Sequence, residues 1–236
     1  MAGPRVAWLV LCKDLVLDLR SKDRLGHMMV FAGVISVLLS ISLPGMTTDS
    51  RRWVPTLVWI VFLLTSLLGL SRSFEAEVEG GAMAALAQLP CDRGWIFLGK
   101  AGACWLTLVG LQLWTGLMFG LLLDVPWLRG FATSTSPSGG GVSLSALLGT
   151  LVLGSGALSV VGTLFSAIAT NARNREFLLP LLLLPLMLPP LVIGANATLA
   201  ALESRPVPAV WWAVLGLYVW VFLLLGFFTF DNVVED

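Results

Sequence analysis

Charged residues are scarce in this sequence of 236 residues, where lysine, arginine, aspartate and glutamate together make up 12%. Ordinary soluble domains carry about 25%, so these charges are too few to cover a water-exposed surface. Basic and acidic residues are balanced, 14 against 14, and no excess of basic residues points to a nucleic-acid partner. The composition therefore excludes an ordinary soluble domain and predicts a protein of the lipid bilayer.

Histidine and cysteine are rare as well, with one histidine, His27, and three cysteines, Cys12, Cys91 and Cys104. The cysteines form no CxxC pair and their number is odd, which argues against a disulfide framework or a metal cluster. We interpret them as small hydrophobic residues. His27 is interpreted as an interfacial residue, with a haem-ligand role as the alternative. The chain is therefore predicted to hold no metal or cofactor of its own and to carry no catalytic residue.

The sequence instead contains long apolar runs, and 57% of its residues are hydrophobic. A membrane-crossing helix needs about 20 predominantly apolar residues, and helices pair all their backbone amides internally. We therefore predict an all-α fold, a single transmembrane domain over residues 1–236 with six spans. The predicted spans are 28–43, 53–71, 94–123, 144–170, 177–201 and 209–230.

Basic residues are unevenly distributed between the predicted links. Ten of the 14 lie before the first span, around the link between the second and third, or between the fourth and fifth. Because lysine and arginine favour the cytoplasmic side, we expect both termini and these links in the cytoplasm. Residues 124–143 are then an external loop. The expected location is the inner membrane of a bacterium.

The first 27 residues are predicted to form an interfacial helix rather than a span. Trp8, Leu11, Leu15 and Leu19 fall on one face at helical spacing, and charges gather over residues 13–24. An apolar face beside a charged region is typical of a helix that lies at the membrane surface.

The stretch GWIFLGKA, from Gly94 to Ala101, has the glycine and lysine spacing of a phosphate-binding P-loop. Its four middle residues are bulky and apolar, and Ala101 replaces the hydroxyl residue that would hold magnesium. We interpret it as the start of the third span, with Lys100 snorkelling toward lipid head groups. Apart from Lys100 the predicted spans carry essentially no ionisable residue, which argues against a proton- or sodium-driven carrier.

Small residues and prolines indicate how the spans pack. Ser155, Ser159 and Thr163 recur every four residues in the fourth span, a spacing that lets helices approach closely. The fifth span contains several prolines, among them Pro185 and Pro189. We expect these to kink or unwind the helix and to face other helices or a lumen, where freed carbonyls find partners.

The link between the second and third spans is the largest predicted cytoplasmic feature, residues 72–93. It has an acidic stretch over residues 75–79, then two glycines, then a short helical run, MAALAQL, that ends at Pro90. We interpret it as an amphipathic shelf at the membrane surface, with a solvated connector as the alternative.

The run from Trp59 to Ala101 resembles the CcmB family, the permease-type subunits of the ABC complex of cytochrome c maturation. The proline-rich block from Phe177 to Ala195 also matches, so the resemblance covers essentially the whole chain. It implies an ABC-2-type permease-like fold in which residues 72–93 couple the chain to a separate ATPase. The residues implied for this coupling segment are Arg72, Phe74, Glu75, Glu77, Glu79, Gly81, Leu86, Pro90 and Arg93.

The resemblance also implies partners and a cargo. These are an ABC ATPase subunit that binds the ATP, a second copy of the chain, a haem-handling membrane subunit and a small membrane subunit. Haem is a possible cargo, and release of a haem-loaded chaperone is a possible output. Two alternatives stay open: an ABC-2 permease for another lipophilic substrate, and a non-transporting scaffold of the complex.

Overall fold

The computed structural model describes residues 3–20, 22–42, 50–79, 93–123, 144–169, 175–203 and 205–235. These residues form seven α-helices and one short 3-10 helix, Ser50–Trp53, with no strand among them. The α-helices are α1 Gly3–Arg20, α2 Lys22–Ser42, α3 Val54–Glu79, α4 Arg93–Leu122, α5 Leu144–Ala169, α6 Arg175–Leu202 and α7 Ala209–Glu235. The all-α prediction is confirmed.

Five helices contain a stretch that is long and apolar enough to cross a membrane, judged by length and composition over the described residues. The stretches are Leu25–Ser42, Arg93–Leu122, Leu144–Ile168, Leu181–Leu202 and Ala209–Thr229. The apolar part of α3, Val54–Leu70, is shorter. The helices are those of a polytopic membrane protein, and the count of six spans stays a prediction that depends on α3.

The N-terminal helix is shorter than the predicted 1–27. It ends at Arg20, and residues 22–27 already belong to α2. Its buried side chains include Val6 and Val10, whereas Trp8 and Leu19 on the predicted apolar face are exposed. Helix α1 packs extensively against α4. Its position at the membrane surface stays a prediction.

The bundle is built around α3, α4 and α5. Helix α5 packs against α4, α6 and α7, while α3 packs against α2, α4 and α6. The largest buried cluster joins Trp59 and Phe62 of α3 to Leu108 of α4, Leu158 of α5 and Met187 of α6. Because lipid tails are as apolar as these side chains, close packing rather than removal from water stabilises such a bundle.

Trp59 occupies a slot that two glycines form on neighbouring helices. A Cβ atom on Gly154 of α5 would overlap the Trp59 ring, and one on Gly194 of α6 would lie 2.6 Å from it. The indole Nε1 donates a hydrogen bond to Thr198 Oγ1 at 3.0 Å, and that hydroxyl donates to Gly194 O at 2.8 Å. The slot, formed by Gly154, Gly194 and Thr198, therefore fixes α3 against both α5 and α6.

The proline-rich helix α6 is continuous from Arg175 to Leu202, so of the two expected effects of the prolines, unwinding does not occur and a kink stays a prediction. Proline lacks an N–H, and Pro190 therefore leaves Leu186 O without its usual helical donor. The hydroxyl of Tyr218 on α7 donates to this carbonyl at 2.6 Å. A neighbouring helix thus supplies the missing hydrogen bond and the helix continues.

Pro185 and Pro189 lie on the exposed side of α6 in the single chain. Pro190, one residue on, is buried. Within this chain the first two prolines therefore do not face the other helices, and the alternative that they face a lumen stays a prediction. Their role in helix packing stays a prediction that requires a second chain.

Candidate functional site: a junction of α1, α4 and α7

The predicted coupling segment begins as a continuation of α3. The backbone is helical through Glu79, eight residues beyond the predicted end of the second span. Arg72, Phe74, Glu75, Glu77 and Glu79 therefore lie in the last turns of this helix, and their side chains lie outside the described residues. Gly81, Leu86 and Pro90, with the predicted short helix, lie outside the described residues altogether. Arg93 is the first residue of α4.

The residues that follow Arg93 pack closely against the end of α7. A Cβ atom on Gly94 would lie 2.7 Å from the ring of Phe227, and the ring of Trp95 meets the same ring edge-on with centroids 6.0 Å apart. Phe97 is fully buried against Gly226, where a Cβ atom would overlap its ring. Aromatic rings set against glycines therefore join the first turns of α4 to α7.

The same stretch of α4 contacts α1 on another side. A Cβ atom on Gly99 would lie 2.6 Å from the carbonyl oxygen of Ala7 and 2.8 Å from the side chain of Val10. The stretch GWIFLGKA is helical throughout, unlike a phosphate-binding loop. Its glycines are the points where α1 and α7 approach α4. We call this meeting place the junction, formed by Gly94–Lys100, the facing residues of α1 and the end of α7.

Lys100 lies inside the junction rather than at the lipid head groups, so the snorkelling prediction is wrong. Its side chain is 4% exposed, and Nζ lies 3.8 Å from Asp14 Oδ2 of α1. The other oxygen of Asp14 pairs with the exposed Lys13 Nζ at 2.9 Å. A buried ammonium is costly unless an opposite charge accompanies it, and Asp14 provides that charge.

A second acidic residue of α1 faces α4 one helical turn further on. Asp18 is 9% exposed, and Thr107 Oγ1 donates to its Oδ2 at 3.0 Å. Val10 contacts Gly99 and Asp18 contacts Thr107, so the contacts advance along both helices in the same direction. Helix α1 thus follows the first half of α4 with two acidic side chains turned inward.

The sequence prediction missed this charged contact because it considered only the face of α1 that would lie on the membrane. The stripe that faces α4 is Val6, Val10, Asp14 and Asp18, every fourth residue, with two valines followed by two acids, and all but the half-buried Asp14 are buried. That spacing places all four on one helical face. The two acidic residues of α1 and the single lysine in the otherwise apolar α4 have complementary charges. Nothing in the sequence shows, however, that α1 and α4 are neighbours.

Of the predicted packing residues on α5, all three side chains are buried, and two of them lie against α4. Ser159 Oγ donates to Ala101 O at 2.6 Å, and Ser155 Oγ accepts from Trp105 Nε1 at 3.1 Å. Thr163 Oγ1 is buried and has no hydrogen-bond partner in the described part of the chain. Two α5 hydroxyls therefore bridge to α4 within two turns of the junction.

The donor set for a metal or haem iron is small in the described residues. No group of three or more histidine, cysteine, aspartate or glutamate side chains is close enough together there to hold a metal ion. His27 is exposed on α2. At the junction, Asp14 faces Lys100 and Asp18 faces Thr107, so its acidic side chains join α1 to α4.

Apolar helices of this length, joined at one end by a packed junction, define a polytopic α-helical membrane protein. The chain matches the family model described as CcmB protein over residues 5–235, and it belongs to the CcmB family. It is similar to "Heme exporter protein B" of Paracoccus denitrificans, 32% identical over 189 residues that cover 80% of each chain.

Two further relatives carry the same name. The protein of Pseudomonas aeruginosa is 29% identical over 199 residues, 84% of this chain and 82% of the relative. That of Rhodobacter capsulatus is 30% identical over 188 residues, 79% of each chain. The matched region spans most of the length of each relative, so the similarity concerns the whole helical body rather than one motif.

Proposed function

We propose that this chain is the membrane subunit of an ABC exporter needed for cytochrome c maturation. It couples ATP hydrolysis by a separate subunit to haem export or to release of a haem-loaded chaperone. The family membership and the names of the relatives support haem as the cargo. The chain itself is non-catalytic in this proposal. The observation that carries the coupling role is that both helices flanking residues 80–92 are anchored deep in the bundle.

The first anchor belongs to α3. This helix has 26 residues, which span about 39 Å at about 1.5 Å each. The hydrocarbon core is about 30 Å thick, so the acidic end of α3 extends beyond it if the helix stands upright. At the other end, Trp59 is held in its slot between α5 and α6. A force on residues 72–79 would therefore reach the core along one continuous helix.

The second anchor belongs to α4, whose first turns form the junction with α1 and α7. Gly3 lies against Trp95, and Trp95 lies against Phe227. The start of the chain, the end of the predicted coupling segment and the end of α7 therefore lie at one end of the bundle. The distribution of basic residues assigns this end to the cytoplasm. That is the side on which an ATPase subunit would dock on residues 72–93.

A second copy of the chain is the proposed occupant of the exposed face of α6. Among the described side chains of this face, from Leu181 to Leu202, Asn196 is the polar one, and its Nδ2 donates to Val192 O at 2.9 Å. No other hydrogen bond to the Asn196 amide is formed within the described residues. An amide left facing lipid is unfavourable, and a symmetric dimer would bring two such amides together. Pro185 and Pro189 lie on the same exposed face.

The coupling role is tested by a proline in the predicted coupling segment. Gly81→Pro should lower the ATP hydrolysis of the purified complex with its ATPase subunit by about tenfold, since about 1.4 kcal/mol of coupling is a modest allosteric energy. The matched control is Gly140→Pro in the 124–143 loop, which should leave hydrolysis within about twofold because the loop is expected on the other side. Equal hydrolysis in both variants contradicts the proposal.

The cargo is tested separately by deleting the gene. Loss of c-type cytochromes with normal lipid and drug sensitivity is the expected result. A drug or lipid phenotype with normal cytochromes would instead favour an ABC-2 permease for another lipophilic substrate. A complex that forms normally, with no nucleotide-dependent movement of the helices, would favour the scaffold.

A further inference from the structure

Helix α1 is attached to the rest of the bundle mainly through α4. Its extensive contacts are with α4, and it has a smaller contact with α2, which follows it in the chain. Its outward face carries exposed apolar side chains such as Trp8 and Leu17. If α4 is displaced, α1 either moves with it or its contact with α4 breaks. The strength and register of that one contact decide which occurs.

The contact combines apolar packing with buried charge. Val6 and Val10 pack against the first turns of α4, and such apolar contacts in a membrane are nearly indifferent to small shifts along the helices. The Lys100–Asp14 ion pair, at 3.8 Å, and the Thr107–Asp18 hydrogen bond, at 3.0 Å, are different, because each depends on how far along α4 the acidic residues of α1 lie. A shift of one turn, about 5.4 Å, would separate both pairs.

We infer that Lys100 is a positioning residue which fixes α1 in register on α4, so that α1 moves as one body with α4 when the coupling segment is displaced. This inference rests on the proposed function, since it needs a nucleotide-driven movement of α4. Buried charged groups are best attested as devices that specify register. The junction places this one within two turns of Arg93, where such a movement would enter α4.

The charge balance of the contact supports this role. Asp14 lies between Lys100 inside and Lys13 outside, and Asp18 adds a second negative charge on the same face of α1. Two lysines and two acids therefore give no net charge at the contact. Lys100 and Asp18 are buried, and a buried charge in a membrane helix needs its opposite charge or hydrogen-bond partner nearby, which penalises sliding of α1 along α4.

The experiment follows the two helices separately. Spin labels are placed on exposed positions of α1, α4 and α7, at Leu17→Cys, Leu113→Cys and Leu217→Cys. The native cysteines Cys12, Cys91 and Cys104 are first replaced by serine. Pulsed EPR then measures the α1–α7 and α4–α7 distances in the complex with its ATPase subunit, without nucleotide and with trapped ATP. In the unmodified background, both distances should change together.

The deciding variant removes both charges, Asp14→Leu with Lys100→Met. Replacing a buried pair with apolar groups is compatible with folding, so α4 should still move while the α1 change falls to less than about half. Exchanging the charges, Asp14→Lys with Lys100→Asp, should restore the joint movement. Lys13→Met, which removes only the exposed partner of Asp14, is the matched control and should behave as the unmodified chain. If the apolar variant does not assemble, Asp14→Asn is measured with the same expectation.

Three outcomes would overturn the inference. In the first, the α1–α7 distance changes as much in the apolar variant as in the unmodified chain. This outcome does not affect the proposed function. In the second, α4 moves and α1 stays still in the unmodified chain, which also spares the proposed function. In the third, neither helix moves on trapping ATP, and the proposed coupling then fails together with the inference.

Discussion

Two helix contacts in this protein are almost equally buried and are built in opposite ways. Trp59 is 3% exposed and sits in a slot made by two glycines. Lys100 is 4% exposed and sits beside an aspartate of another helix. The slot is neutral and depends on shape and one indole hydrogen bond. The junction depends on charge as well as on glycine contacts.

This difference indicates which of the two contacts better tolerates a substitution. A shape-based contact loses energy gradually, because neighbouring side chains can shift when an atom is added or removed. A buried ion pair loses energy abruptly when one partner is removed, because the other charge remains in a low-dielectric site. We therefore expect the slot to act as a fixed, tolerant anchor of α3, and the junction to be the more sensitive contact.

Removing the aspartate should give the largest effect. Asp14→Leu leaves Lys100 buried without that counter-charge and should lower the free energy of unfolding by about 3 kcal/mol. This is the lower end of the range for a broken buried pair, because Lys100 retains another interaction. Denaturation of the purified chain in bicelles measures the loss.

The neighbouring lysine provides the control for this prediction. Lys13 pairs with the same carboxylate but is 45% exposed, so Lys13→Met should cost no more than about 0.5 kcal/mol. The double variant Asp14→Leu with Lys100→Met should recover to within about 1 kcal/mol of the unmodified chain. If Asp14→Leu and Lys13→Met lower the free energy of unfolding equally, the buried charge of Lys100 does not determine the stability of the contact between α1 and α4.

An intermediate effect is expected at the slot. Gly154→Ala places a methyl group where the Trp59 ring lies, and such overpacking should cost about 1–3 kcal/mol. Gly216→Ala on α7 is the matched control, since nothing lies within 4 Å of its added Cβ. There, alanine should stabilise the helix by about 0.5–1 kcal/mol. In detergent, the midpoint of thermal unfolding should fall for Gly154→Ala and rise for Gly216→Ala. Shifts of the same sign would contradict the claim that Gly154 makes room for the Trp59 ring.

The same contrast explains how far the sequence could predict the structure. Apolar runs and their ends are local properties, so the all-α fold and five of the long spans follow from composition and length. The predicted second span ends at residue 71, whereas helix α3 continues to Glu79. Glutamate is compatible with an α-helix, so the end of the apolar run near residue 71 does not mark the end of the helix.

Contacts between distant helices could not be predicted in this way. The carbonyl of Leu186, which Pro190 leaves without its helical donor, is satisfied by Tyr218, a residue of the next helix. The burial of Lys100 depends on an acid 86 residues earlier in the chain. In both cases the sequence shows an isolated polar or proline residue in an apolar helix. The partner that satisfies it is fixed only by the packing, which hydropathy alone does not specify.

A third kind of contact is a neutral hydrogen bond between two helices, and its loss should give the smallest effect. Ser159 Oγ on α5 donates to Ala101 O of α4 at 2.6 Å, next to Lys100. Ser159→Ala should cost about 0.6 kcal/mol, the average for a polar contact between membrane helices. The measurement is the midpoint of unfolding in the same bicelles.

Ser36→Ala is the matched comparison, because Ser36 is as deeply buried but donates to Ala32 O at 2.7 Å within its own helix. The Ser36 hydroxyl bonds only within its own helix and joins no two helices, so its loss should cost less than that of the Ser159 hydroxyl. If Ser36→Ala costs as much as Ser159→Ala, the bridge from α5 to α4 adds nothing beyond burial. Stability at the junction would then come from the ion pair and the glycine contacts alone, which would sharpen the contrast with the slot.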